Sequence, residues 1–171
     1  MNKNLQDSFV FRDIRQEEAE QAVIMETVCF PPHEACTREM MLQRIAKAPE
    51  VFLVAEDKET GKLAGFLSGL STDEHAFRDE FFYNAELYNP NGKNIMILGL
   101  NVLPEYRGKG LARELVSRYI GKEQKNGRQA FVLTCLSDKV SMYERMGFFD
   151  KGISNSAWGG EQWHEMCFCK E

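Results

Sequence analysis

Apolar positions recur along this chain with two periods. Residues 9–14, 51–56, 63–70, 95–102 and 130–136 are short runs rich in Val, Ile, Leu and Phe, bounded by Gly, Pro or charged residues, and read as strands. The run at 95–102 is almost continuously apolar, as expected of a strand covered on both faces. Leu111, Ala112, Leu115, Val116, Tyr119 and Ile120 repeat instead at helical spacing and predict an amphipathic helix lying on the sheet. Residues 17–29 have helical composition with acids in the first turn, and Pro31 and Pro32 must end that helix. Thr37 suits the N-cap of a second helix through Lys47, closed before Pro49. Residues 58–61 turn a hairpin, a short helix is expected near 76–83, and another at 140–146 is stopped by Gly147. The remainder reads as a final hairpin turning at Gly159 and Gly160.

A length of 171 residues suits one domain, 1–171, with a single sizeable core. No run approaches the ~20 apolar residues of a membrane span, and the first residues lack the apolar stretch of a secretory signal. Cysteines stand at 29, 36, 135, 167 and 169, an odd number without a C-x-x-C pair. That pattern argues against a disulfide framework and a zinc site and for reduced thiols in the cytoplasm, so no metal is expected. The formal net charge is −5, yet residues 105–128 carry seven basic against three acidic side chains. A basic island in an acidic chain suits a small polyanion, not a nucleic acid, which needs a broader basic face.

That island begins in L-G-L-N-V-L-P-E-Y-R-G-K-G-L-A at 98–112: an apolar strand, a proline corner, a glycine-rich basic loop and a helix start. Such a loop aims backbone N–H groups at one point, where the helix macrodipole favours an anion. Gly108 and Gly110 allow close approach, and Arg107 and Lys109 add charge. A P-loop, G-x-x-x-x-G-K-S/T, does not fit, because Leu111 and Ala112 follow Gly110. A G-x-G-x-x-G fingerprint fails at Arg113. What matches is R-x-x-G-x-A from Arg107 to Ala112, which resembles the acetyl-CoA pyrophosphate loop of the GNAT superfamily of N-acetyltransferases. Downstream, S-M-Y-E-R-M-G-F at 141–148 resembles the family's (F/L)-Y-E-(K/R)-x-G-F segment, and the two motifs occur in the family's order. The resemblance spans essentially the whole chain and is nearest to the arylalkylamine branch.

The resemblance implies an α/β (α+β) fold: a mixed, mostly antiparallel seven-stranded sheet flanked by about four helices, in the order β-α-α-β-β-β-α-β-α-β-β. It implies direct acetyl transfer from acetyl-CoA to a small-molecule primary amine in a ternary complex. Arg107, Gly108, Lys109, Gly110, Leu111 and Ala112 would hold the pyrophosphate. Leu100, Asn101 and Val102 would offer strand-edge backbone groups to the pantetheine arm, and Ser137 or Ser141 would replace an asparagine that many members carry where Leu136 falls. Gly99, inside an apolar strand, marks a bulge whose neighbouring N–H at Leu100 would polarise the thioester carbonyl. Tyr143 is the candidate general acid for the departing thiolate; its plain alternative is core packing.

The general base is expected to be Glu34, acting directly or through water. Phe30 and Glu34 share the F-x-x-x-E spacing of arylalkylamine acetyltransferases whose glutamate is the base, and both would border the acceptor. The positions that would carry a histidine pair on the fourth strand are Met96 and Leu98, so that relay is excluded. Asp73 and Glu74, in an acidic and aromatic stretch after the third strand, are alternative bases and acceptor contacts; water is another. Cys135 is read as a buried strand residue and not an acyl carrier. Two other functions share these motifs: acetylation of a protein or peptide, and non-catalytic sensing of acyl-CoA. A homodimer is expected by analogy with the superfamily.

Overall fold

In the computed structural model, which describes residues 4–169, a seven-stranded sheet carries every helix. The chain opens with a single helical turn, α1 (Leu5–Ser8), that the sequence pattern did not suggest. It continues through β1 (Phe9–Asp13), α2 (Ala19–Cys29), α3 (Arg38–Lys47), β2 (Phe52–Asp57), β3 (Leu63–Thr72), α4 (Glu80–Tyr83) and β4 (Asn94–Val102). Then come α5 (Leu111–Lys125), β5 (Ala130–Cys135), α6 (Val140–Arg145), β6 (Phe149–Ile153) and β7 (His164–Cys169). Among the described residues there are thus six α-helices where about four were expected, the two extra, α1 and α4, being four residues each. The strand order is β1-β2-β3-β4-β5-β7-β6, antiparallel except for β4 beside β5. No helix of the described residues is long and apolar enough to cross a membrane.

The local signals act largely as the sequence implies. Thr37 caps α3 by accepting from the Met40 N–H at 3.2 Å. One face of the sheet buries Leu53, Leu67, Ile95, Phe131 and Met166 under Leu115, Val116 and Tyr119 of α5. The opposite face buries Phe52, Val54 and Phe66 under Met25 of α2 and Met41 and Ile45 of α3. β3 and β4, central in the sheet, are therefore covered on both sides, which is why their sequences are continuously apolar.

Two expectations need correction. The helix expected near 76–83 shrinks to Glu80–Tyr83. Its upstream residues are drawn elsewhere: the Phe77 N–H donates to Glu165 at 3.1 Å, and Asp79 accepts from the Ser156 hydroxyl and from the Ala157 N–H. The last two strands do pair with each other, but β7 inserts between β5 and β6. Their connection is a long excursion over residues 154–163, with Gly159 and Gly160 inside it at positive φ. It does not turn tightly, because it is held by groups far away in sequence.

Gly69 shows how closely α5 sits on β3. A Cβ there would come within 2.1 Å of the Tyr119 hydroxyl, which donates to the Val51 carbonyl at 3.0 Å in a fully buried setting. Gly69→Ala is expected to lower stability by about 2 kcal/mol through overpacking and loss of that bond, read by urea unfolding. An unchanged midpoint would contradict this packing.

Candidate active site

The central feature is a place where two neighbouring strands part. β4 and β5 pair in parallel through only three positions, Asn94 with Ala130, Ile95 with Phe131 and Met96 with Val132. Beyond them β4 stays bonded to β3 through Val102, and β5 stays bonded to β7 through Cys135. The register between β3 and β4 slips where Ser68 faces Gly99 and Gly69 faces Ile97, leaving Leu98 as the extra residue of a bulge. The bulge thus falls beside Gly99, as its place in an apolar strand suggested.

A cavity of about 490 Å³ opens in this wedge. One wall is Ile97, Leu98, Gly99, Leu100 and Val102 of β4; the other is Leu133 to Leu136 of β5 and its continuation. With the ladder ended, the facing edge of β4 has backbone groups free to bond an extended, amide-bearing chain inserted between the strands, as an added strand would. At the mouth, Arg107 and Ala112 belong to the lining. The loop between β4 and α5 holds Gly108 and Gly110 at positive φ, with nothing within 4 Å of where a Cβ would project. Gly110 is the N-cap of α5 and supplies no side-chain cap, so the first N–H groups of a fifteen-residue helix face outward at the cavity mouth. These residues fit a pyrophosphate, with backbone N–H groups of residues 108–112 as donors.

Arg107 is placed differently from a free cation. Its Nε donates to the Val102 carbonyl at 2.9 Å, so it closes the end of β4 while its charge remains near the loop. Lys109 lies with its ammonium 5.9 Å from the Tyr106 ring centre. Ser137 and Ser141 are exposed and are not in the cavity wall; Asp138, Lys139 and Met142 from the same segment are. Asn101 is fully buried with its side chain on the α2 face of the sheet.

Tyr143 reaches the cavity from α6, held edge-on against Phe148 with ring centres 5.7 Å apart. Burial pushes its hydroxyl well above the usual phenol range, so it stands protonated at neutral pH with an O–H to donate. Cys135 lines the same wall, but burial raises its thiol to about 12, which leaves it a neutral packing group.

The far end of the cavity is aromatic and acidic. Phe30, Pro31 and Glu34 from the α2–α3 connection meet Phe82, Trp158 and Trp163. The Trp158 indole N–H donates to the Glu34 carbonyl at 2.9 Å, the Trp163 indole to the Trp158 carbonyl at 2.9 Å, and the Phe82 and Trp158 rings lie 4.7 Å apart. Asp73 and Glu74 are not part of this wall. Asp73 accepts from the Lys93 N–H at 3.0 Å, and Glu74 is clamped by Arg78 at 2.7 Å, which holds its carboxyl below the ordinary range. Both stabilise the segment after β3.

The carboxylate that sequence reasoning passed over is Glu26. It lines the cavity from α2 and is only 6% exposed. Its spacing carried a signal: Ala22, Met25, Glu26 and Cys29 share one helical face, so an acid stands in an apolar stripe. Trp158 and Trp163 carried no comparable sign, because only the fold brings the β6–β7 connection to α2.

The sequence pattern of the Acetyltransferase (GNAT) family matches residues 11–148. The chain belongs to that family. No curated protein matches it. Solved structures share the fold at low identity. The loading GNATL domain of CurA from Lyngbya majuscula has a TM-score of 0.80 at 15% identity, covering 94% of this chain and 97% of that one. The NatC complex bound to Gag peptide and CoA gives 0.71 at 20% identity, over 96% of this chain and 99% of that one. A phosphinothricin acetyltransferase from Sinorhizobium meliloti in complex with AcCoA gives 0.67 at 16%, over 95% and 88%.

Gly110→Glu would place a carboxylate at a strained positive φ in the loop expected to hold the pyrophosphate. It is expected to weaken CoA binding at least about 100-fold by calorimetry, on the scale of several kcal/mol for a like-charge contact. Affinity within about threefold of the unaltered protein would overturn the loop assignment.

Proposed function

We propose that this protein transfers an acetyl group from acetyl-CoA to the primary amine of a small molecule with an apolar, aromatic-sized body, as in the arylalkylamine branch. The observation that carries this reading is the acceptor end of the cavity: aromatic walls from Phe30, Phe82, Trp158 and Trp163 with carboxylates at Glu26 and Glu34. Aromatic faces and carboxylates attract a cation, and the flat walls suit an apolar body. The strap from residues 154–163 to the α2–α3 connection favours a compact acceptor over an extended peptide. Gly159 packs so closely on His33 that a Cβ would fall 2.3 Å from the His33 carbonyl, and the His33 ring meets Glu161 at 3.2 Å. Together with the Trp158–Glu34 bond, these contacts fasten the two connections to each other.

The reaction needs the donor held, the amine deprotonated and the thiolate protonated. The loop at 107–112 and the open β4 edge serve the first. In this reading an N–H at the bulge beside Gly99 polarises the thioester carbonyl, and Tyr143 protonates the leaving sulfur. Glu34, in the wall beside Phe30, is suited to attract the ammonium.

Release of CoA thiol, screened over tryptamine, phenethylamine, spermidine, aminoglycosides and lysine peptides, tests the reading. Turnover is expected with the aromatic amines. Peptides consumed faster than any small amine would favour a protein acceptor, and CoA binding without turnover would favour a sensor. Tyr143→Phe is expected to lower kcat about 100-fold, the usual scale for a lost general acid, while acetyl-CoA affinity is kept. Gly159→Val should loosen the strap and raise the amine KM more than it changes kcat; an unchanged KM would detach the strap from acceptor binding.

A further inference from the structure

We propose that Glu26 is the group that takes the proton from the acceptor amine, and that Ser68 and Asn101, buried beneath the β4 bulge, are its positioning residues. The inference rests on the N-acetyltransferase reading and names the base for that same site.

The geometry places Glu26 at the bulge. One carboxylate oxygen, Oε1, accepts from the Cys36 N–H at 3.2 Å. The other, Oε2, points at the strand: it lies 3.8 Å from where a Cβ on Gly99 would stand. Ser68 Oγ and Asn101 Nδ2 each lie 3.4 Å from that same point. A side chain at residue 99 would fill this space, so the glycine keeps the carboxylate in reach of the strand edge where the thioester carbonyl is polarised.

The cluster is costly as packing. Ser68 is 1% exposed and Asn101 0%, and neither the Ser68 hydroxyl nor either end of the Asn101 amide has a hydrogen-bond partner of normal geometry. Buried polar groups are nearly always paired, and each unpaired one costs about 1–3 kcal/mol. Three polar side chains gathered around one point in an otherwise apolar sheet face indicate a demand other than packing. An apolar residue at position 26 would continue the α2 stripe without that cost.

The charges around Glu26 are few. Arg44 reaches in from α3, buried, with one Nη on the Phe82 carbonyl at 2.7 Å. Cys29 on its own helix and Cys36 on the α2–α3 connection are both pushed up by burial, Cys36 to about 11, and stay neutral. Ser68 of β3 and Asn101 of β4 are uncharged. Burial lifts the Glu26 carboxyl above the ordinary range; the Cys36 N–H and Arg44 restrain the rise without cancelling it. A carboxylate so lifted is a stronger base near neutral pH than a solvated one.

In the step, the amine nitrogen bonds the thioester carbon and the C–S bond breaks. Glu26 Oε2 takes the first proton of the ammonium and passes it to solvent before attack, then takes the second as the amide forms, and the CoA thiolate takes the proton of Tyr143. Solvent exchange then restores both groups.

The test compares Glu26→Gln with Glu34→Gln in the full chain. Glu26→Gln should lower kcat at least about 100-fold, with acetyl-CoA KM and calorimetric CoA affinity kept. Glu34→Gln should act chiefly on the amine KM. Because a raised carboxyl loses its proton only as pH climbs, kcat/KM of the unaltered protein should rise through the lifted Glu26 pKa. Asn101→Ala or Ser68→Ala should displace that limb, which a purely structural role would not do. Independently, 13C-carboxyl NMR of glutamate-labelled protein, with Glu26 assigned by its loss in Glu26→Gln, should show it titrating above the other glutamates. A Glu26→Gln rate within about threefold of the unaltered enzyme, or a Glu26 signal titrating with the exposed glutamates, overturns the proposal. Absence of turnover with every amine overturns the acetyltransferase reading instead, and the NMR titration then decides Glu26 alone.

Discussion

The site depends on how briefly β4 and β5 stay paired. Their parallel ladder is three residues long and ends at Met96 and Val132, while each strand stays bonded on its other edge to a longer antiparallel partner. Sheet twist and the bulge at Leu98 then carry the two edges apart. An unpaired strand edge inside a fold is an unfavourable arrangement unless something bonds it. Here the wedge is flanked by a helix N-terminus at one end and by an aromatic, acidic chamber at the other. Glu26, Glu34, Arg107 and Tyr143 all stand on its walls.

Much of this was legible because local signals and tertiary demands agreed. The apolar run at 95–102, the proline corner at 104 and the glycines at 108 and 110 each have one conformation that suits them, and the fold uses it. Gly99 announced the bulge for the same reason: only an irregularity or a close approach explains a glycine in so apolar a strand. Where the structure differs, hydrogen-bond partners outside any motif decided. Residues 76–79 had helical composition but are bonded by Glu165, Ser156 and Ala157, so the helix begins late. Asp73 and Glu74 had the charge of a base but are used locally, by Lys93 and Arg78.

The two acids of the acceptor chamber illustrate the limit of motif spacing. Glu34 was found by its distance from Phe30, and it does line the cavity. Glu26 had no motif, only an anomalous place in a helical stripe, yet it faces the bulge and bears the burial. Spacing along the chain locates residues that sit on one loop; it is silent about which of two carboxylates points at a strand two elements away. Burial carries that information, since an acid in an apolar face persists at a cost to stability and calls for a reason.

The most direct test of the account is a crystal structure of the protein with a non-hydrolysable acetyl-CoA analogue and an aromatic amine. The account predicts the pyrophosphate on the N–H groups of residues 108–112 and the pantetheine arm along β4 beyond Met96. It also predicts the acetyl carbonyl at the bulge, with the amine nitrogen within hydrogen-bond reach of Glu26. An analogue bound outside the wedge, or an amine that meets Glu34 and leaves Glu26 uncontacted behind the strand, would contradict it.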